Sequence, residues 1–293
     1  VLGAAACLGR LSSREAWAGG GLFAWVAAIS LSAFYATPRY PQDDYRPLIA
    51  QLNALGQAQD VVYAVFPWQV GYFRSYGRAG GPQPLLGPES EWTARVAEWL
   101  DGLLQAERRL WLPAHQAMGA LLEQAVEGYL QTHAVPALNR WYGPHTRLTF
   151  WSPLAKAMVV GPTEVSYSHL LTLVRSAISA GPVSADGSVV QVDLVWQWVA
   201  PLPRGTYQVR LSLADEAGIV WAQRDSAPVN GNRPFTSGSL GEQVQDRHGL
   251  VVPPGTPPGH YRLLLQVYQV ESGQALDVLN AAGFPQGVEL PLA

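Results

Sequence analysis

The densest group of side chains able to do chemistry is Arg39, Tyr40, Asp43, Asp44, Tyr45 and Arg46. Two carboxylates set between arginines suit an anionic headgroup or an acidic leaving group, because a guanidinium fork matches phosphate oxygens. The plainer use of the same residues is structural, with the aspartates capping a following helix and the arginines anchoring at a membrane interface. Arg39, Tyr40, Asp43, Asp44 and Arg46 are the candidate residues for a substrate or lipid headgroup. The histidines, His115, His133, His145, His169, His248 and His260, fall one to an element, and none is spaced to share a metal. Nucleophile-elbow, phosphate-loop and zinc-helix spacings are all missing. Asp246, Arg247 and His248 stand together before the apolar stretch Leu250 to Val252, with no nucleophile near them in sequence. The 11 tryptophans invite stacking against sugar rings. Trp196 and Trp198, however, share one face of an alternating apolar strand and read as core, while Trp68, Trp111, Trp141 and Trp151 are less well placed. The expectation is a chain without catalytic residues, metal ligands or cofactor of its own.

The elements that must position these residues begin with an uncharged stretch, Ala16 to Thr37, bounded by Arg14 and Glu15 on one side and Arg39 on the other. As a helix it would be roughly 33 Å long, enough to cross a hydrocarbon core of ~30 Å. Trp17, Trp25, Phe34, Tyr35 and Tyr40 lie mostly toward its ends, where amphipathic rings prefer to sit. A signal peptide has a shorter apolar core of about 7 to 15 residues. A buried helix of a water-soluble domain would be weakened by Gly19 to Gly21. A retained spanning helix fits better than either. The apolar run Val1 to Gly9 reads as the tail of an earlier span, so the chain is expected to be the carboxy-terminal piece of a larger polytopic protein.

Beyond that helix the pattern alternates between helical and strand periods. Asp43 or Asp44 is placed to cap a helix through Leu55 with Leu48, Ile49 and Leu52 on its apolar face, and VVYAVF after Asp60 reads as a strand buried on both faces. A helix at Trp68 to Tyr76 follows, then a breaking loop, RAGGPQPLLGP. Ser90 is placed to cap a helix carrying Trp92, Val96, Trp99, Leu100 and Leu103. After the strand RLWLP a further helix puts Met118, Leu121, Leu122, Ala125 and Tyr129 on one side, and a hairpin turns around Tyr142 to Pro144. This order predicts a small α/β layer with a largely parallel sheet. After Pro153 the period becomes two: Val190 to Trp198, Tyr207 to Leu213 and Tyr261 to Val267 alternate, separated by turns such as PLPRG, DEAG and PPGTPPG. That predicts an antiparallel β-sandwich of immunoglobulin-like shape. The fold class is thus a membrane-anchored, multi-domain chain: a transmembrane segment at 1–40 (helix 16–37), an α/β domain at 41–153, a linker and first-strand region at 154–183, and a sandwich at 184–293.

Composition excludes some partners. Net charge is −3 with no basic cluster, so the electrostatic footprint of a nucleic-acid binder is missing. The single Cys7 permits neither an internal disulfide nor a thiolate metal cluster. Arg10 and Arg14 against Arg39 and Arg46 leave the positive-inside count tied.

The order YPQDDYRPLIAQL, DVVYAVFPWQVGYFRSYG, RLWLPAH and NRWYGPHTRLTFW after an apolar helix resembles the region following the last membrane helix in bacterial polytopic glycosyltransferases of the protein mannosyltransferase and aminoarabinose transferase superfamily. The segments VDLVWQWVAPLPRGTYQVRLSLADEAGIVWAQRDSAPV and LVVPPGTPPGHYRLLLQVY are similar to the β module some of these enzymes carry. The resemblance implies a parent that moves sugar from a polyprenyl-phosphate donor on the outer membrane face, with divalent-metal assistance. Its acidic catalytic loop would lie upstream of this chain, and residues after about 38 would be extracytoplasmic. The implied partners are the bilayer, the polyprenyl-phosphate sugar and the upstream membrane domain. The alternative is a membrane-anchored glycan- or protein-binding module without enzymatic activity. A third reading, an isolated soluble α/β hydrolase with an accessory sandwich, is opposed by the missing nucleophile motif.

Overall fold

A computed structural model describes residues 13–36, 43–115 and 121–292. The chain divides into two compact units, one ending at Asp44 and the other beginning at Tyr45. The first contains helix α1, Ser13–Ala36, of 24 residues. Its segment Trp17–Ala36 has a mean hydropathy of 1.5 with none of it buried by protein, so it is long and apolar enough to span a membrane. Trp17, Phe23, Trp25, Phe34 and Tyr35 are all exposed around it. A helix apolar on every side needs lipid or partner helices as its surroundings.

The second unit opens with α2, Arg46–Leu55, whose Leu48, Ile49 and Leu52 are buried as their spacing predicts. Its cap position is Tyr45, with no side-chain cap and a proline in the first turn. Asp43 and Asp44 lie too early to cap it, so the capping expectation is corrected. Strand β1, Val61–Ala64, is buried throughout. The loop expected after α3, Pro67–Tyr76, contains strand β2, Gln83–Leu86, paired in parallel with β1. Pro84 is tolerated there because β2 is an edge strand, where a missing N–H breaks no ladder on its open side. Helix α4, Ala94–Gln105, starts after Thr93 rather than Ser90, which leaves Trp92 outside it and against Tyr129. After β3, Leu110–His115, comes α5, Leu121–His133, with Leu122, Val126 and Leu130 inward; its buried face is rotated by about one residue from the expected one. Met118, assigned to that face, lies outside the described residues.

Strands β4, Ala134–Trp141, and β5, Thr146–Pro153, form the expected hairpin. The sheet order is β2-β1-β3-β5-β4, and only the β1 pairings with β2 and β3 are parallel. A largely parallel sheet is therefore corrected to a mixed one. The physical reason is the short β4–β5 turn, which joins antiparallel neighbours only, since a parallel join needs a long crossover. Alternation along β1 and β3 builds one core on each face. Val61, Tyr63, Leu110 and Leu112 pack under α4 and α5. Val62 and Trp111 pack with Phe150 and α2, the Trp111 and Phe150 rings stacking at 4.1 Å.

The rest of the chain is antiparallel. One sheet holds β6, Met158–Val160; β7, Val165–Tyr167; β8, Leu171–Ser179; β9, Val189–Trp198; β12, Gln243–Val251; β14, Val278–Leu279; and β15, Pro285–Gly287. The other holds β10, Tyr207–Asp215; β11, Val220–Ser226; β13, Tyr261–Gln269; and β16, Leu290–Pro291. Leu173, Trp196, Val209 and Leu265 come from both sheets into one buried cluster, so the two pack as a β-sandwich. The segment 154–183 contributes three strands, β6 to β8, to the larger sheet.

The α/β layer and the sandwich meet along a seam of polar bonds and one close backbone approach. Arg109 forks onto Asp60 at 2.7 and 2.6 Å and donates its remaining nitrogen to Gly187 O at 2.6 Å. Gln191 bonds Ser152 Oγ and Pro153 O across the same seam. Gly249 in β12 faces Ala137 in β4, and a Cβ there would come within 2.8 Å of the alanine methyl.

Candidate functional site

A cleft of about 670 Å³ opens between β4 and β11, in the angle between the two layers. Trp141 and Trp221 line it together with Asn139, Arg140, Gln223 and Asn230. Trp141 is 46% exposed. The Arg147 guanidinium lies 5.7 Å over its ring, and Arg147 Nε donates to Asn139 Oδ1 at 2.7 Å. Trp221 is fixed by its Nε1–H donating to Asp215 Oδ2 at 2.9 Å. Asn139 reaches Asn230 across the opening at 3.5 Å. Ring faces held by side-chain bonds, amides and guanidinium groups suit a polar ligand with apolar faces, and a saccharide has that character.

Beneath the cleft lies a chain of buried polar groups built by strand alternation. Ala222, Arg224 and Ser226 share one face of β11, and Asp246, His248 and Leu250 share the inward face of β12. Ser226 Oγ sits 2.8 Å from His248 Nδ1, and His248 Nε2 lies 2.7 Å from Asp246 Oδ2. That second contact is close but its N–H is not aligned for a hydrogen bond. Asp246 is 0% exposed and His248 1% exposed. Asp246 accepts the Val229 N–H at 2.7 Å and the Trp196 Nε1–H at 3.2 Å. Arg224 donates to Gly249 O at 2.9 Å and also to Pro136 O, tying β11 to both β12 and β4. Burial lowers its pKa to about 10 against the opposing pull of the Asp246 charge. The loop after Ser226 places Val229 and Asn230 in left-handed conformations, φ 51° and 54°. That state is costly for a β-branched residue, and here it aims the Val229 amide at Asp246.

A second buried cluster occupies the end of the mixed sheet where β1 and β3 finish. Glu123 is 2% exposed, and burial raises its carboxyl above the usual range, although the amides of Glu123 and His115 and the His115 charge pull the other way. Tyr63 is pushed up to about 12 by burial and by the Glu123 charge. Neighbouring Glu127 is likewise raised by burial, against its pairing with Arg147 at 3.0 Å.

The residues assigned from sequence fall differently. Arg39 and Tyr40 lie outside the described residues. Asp43 and Asp44 are partly exposed at the end of the first unit, and Arg46 opens α2. Of the histidines, the β3–β5 pairing brings His115 and His145 to 6.3 Å between ring centres. Among the described residues, no three His, Cys, Asp or Glu side chains converge to hold a metal ion. Trp196 and Trp198 are core, as are Trp111 and Trp151. The sequence reading missed Ser226, which lies 22 positions from His248. The available signal was Asp246 and His248 at inward positions of an otherwise apolar alternation. No protein-family model matches the chain, and no curated protein matches it.

Proposed function

We propose that this chain is the extracytoplasmic carboxy-terminal part of an integral-membrane glycosyltransferase that uses a polyprenyl-phosphate sugar donor, and that its cleft holds a saccharide. In this reading α1 anchors the chain in the bilayer beside the upstream membrane domain, and the sandwich is of immunoglobulin-like shape. The single observation that supports saccharide binding is the cleft lined by Trp141 and Trp221, with the Trp221 indole fixed by its bond to Asp215 and the Trp141 ring lying under the Arg147 guanidinium. Bond formation to sugar belongs to a loop outside this chain. A divalent metal used by the parent would be held there as well.

Tryptophan fluorescence of the full chain in detergent, titrated with mannotriose, chitotriose and a glucuronic-acid disaccharide, tests the cleft. Saturable quenching by one of them, lost in Trp141→Ala, is the expected result. The same flat trace for all three in both proteins would remove the saccharide reading. A membrane-anchored glycan-binding module without a transferase parent would share the cleft. The open reading frame upstream of Val1 separates the two: repeated apolar spans and an acidic outer loop support the transferase, and a start codon at that point supports the module.

A further inference from the structure

We propose that Ser226 is a nucleophile, activated by His248 and Asp246, that removes acyl groups from saccharide esters bound in the cleft. The substrate class rests on the saccharide reading above; the nucleophile rests on the geometry of the three side chains. A buried carboxylate is an acceptor only, so Asp246 beside Nε2 favours the tautomer with its proton on that nitrogen. The Nδ1 lone pair then faces Ser226 at 2.8 Å, and the serine hydroxyl is the donor in that contact. This is the arrangement of a hydroxyl nucleophile, its base and the group that orients the base, with the two imidazole nitrogens exchanged relative to the usual serine hydrolase order. Misalignment of the Nε2 contact is common in unliganded sites, which tighten when substrate binds.

Three further observations distinguish this chain of groups from a simple polar staple between sheets. Ser226 lines the cleft, so its hydroxyl meets what enters there. Arg224 sits two residues away on the same strand face with Nη2 buried and lacking a hydrogen-bond partner among the described residues. The left-handed turn at Val229 and Asn230 holds Asp246 from behind, while Asn230 itself reaches the cleft wall.

The reaction balances with water as the only co-reactant. Ser226 Oγ bonds to the ester carbonyl carbon as its proton passes to His248 Nδ1. The carbon–oxygen bond to the sugar breaks, and the sugar oxygen takes that proton from the imidazolium. Water then attacks the acyl-serine, giving a proton to Nδ1, and the carboxylic acid leaves as Ser226 recovers its proton.

The test treats the full chain in detergent with a fluorophosphonate probe, maps the adduct by peptide mass spectrometry, and follows p-nitrophenyl acetate hydrolysis in parallel. A phosphonyl adduct on Ser226 is expected, with hydrolysis falling by about 100-fold or more in Ser226→Ala. Wild type and variant are compared at equal folded fraction, checked by circular dichroism. Absence of an adduct on Ser226, with equal hydrolysis by wild type and variant, overturns the proposal even if saccharide binds. Labelling of Ser226 in a protein that binds none of the saccharides overturns the saccharide reading and the substrate class, and leaves the nucleophile standing. Mapping on wild type keeps the test decisive should Ser226→Ala fail to fold.

Discussion

Asp60 and Asp246 are both fully buried, and each accepts an indole N–H and a backbone N–H, yet they end in different arrangements. Asp60 takes the Trp111 Nε1–H at 2.8 Å, the Gln57 N–H at 2.9 Å and both arms of the Arg109 fork. Oδ1 accepts one of these bonds and Oδ2 the other three, and Arg109 donates from its remaining nitrogen to a carbonyl of the sandwich. Asp246 has a histidine where Asp60 has an arginine, and the imidazole passes the connection on to a hydroxyl at a cleft. Arginine is always charged and closes an ion pair; histidine has two distinct nitrogens and can carry a proton between neighbours. One aspartate therefore locks the seam, and the other is built into a route for proton movement.

The largest effect that would break this comparison is at the lock. Asp60→Ala leaves Arg109 buried without its counter-charge and should cost about 3–5 kcal/mol, read as a lowered urea midpoint. A loss under 1 kcal/mol would mean that the seam does not depend on the pair. Asp246→Asn keeps the shape and some of the acceptor capacity, so about 1–3 kcal/mol is expected, together with loss of Ser226 labelling. Equal losses of stability at the two sites with labelling unchanged would make both of them locks.

Glu123 offers a contrast in pH. Its folded pKa is raised by burial, so the stability it contributes is fully present below the unfolded carboxyl range and is lost as pH rises through the folded value. Taken alone, this group lowers the melting temperature at pH 7 relative to pH 4, and Glu123→Gln should raise the pH 7 value relative to the pH 4 value by removing that contribution. An unchanged difference would show that Glu123 is not charged against its surroundings. The smallest effect on stability belongs to Trp141→Ala, expected within about 0.5 kcal/mol because the ring is half exposed, while saccharide quenching disappears. A large fall in melting temperature would instead make Trp141 a packing residue.

What the sequence determined by itself is local and periodic. The uncharged stretch at α1 is visible because being long and apolar enough to cross a membrane is a matter of length and composition. The alternation of β9, β10 and β13 is visible because a strand facing a core must repeat every two residues. Boundaries such as Thr93 for Ser90, and the strand hidden in the proline loop at Gln83–Leu86, were not visible, since a neighbouring strand decides whether a short segment pairs. Both polar chains were decided by tertiary structure. Asp60 meets Arg109 across 49 positions and Ser226 meets His248 across 22. Those meetings depend on which strands become neighbours and in what register, and no local window of sequence contains that information. A carboxylate, an imidazole and a hydroxyl acquire a joint chemistry only when packing removes water and fixes their distances.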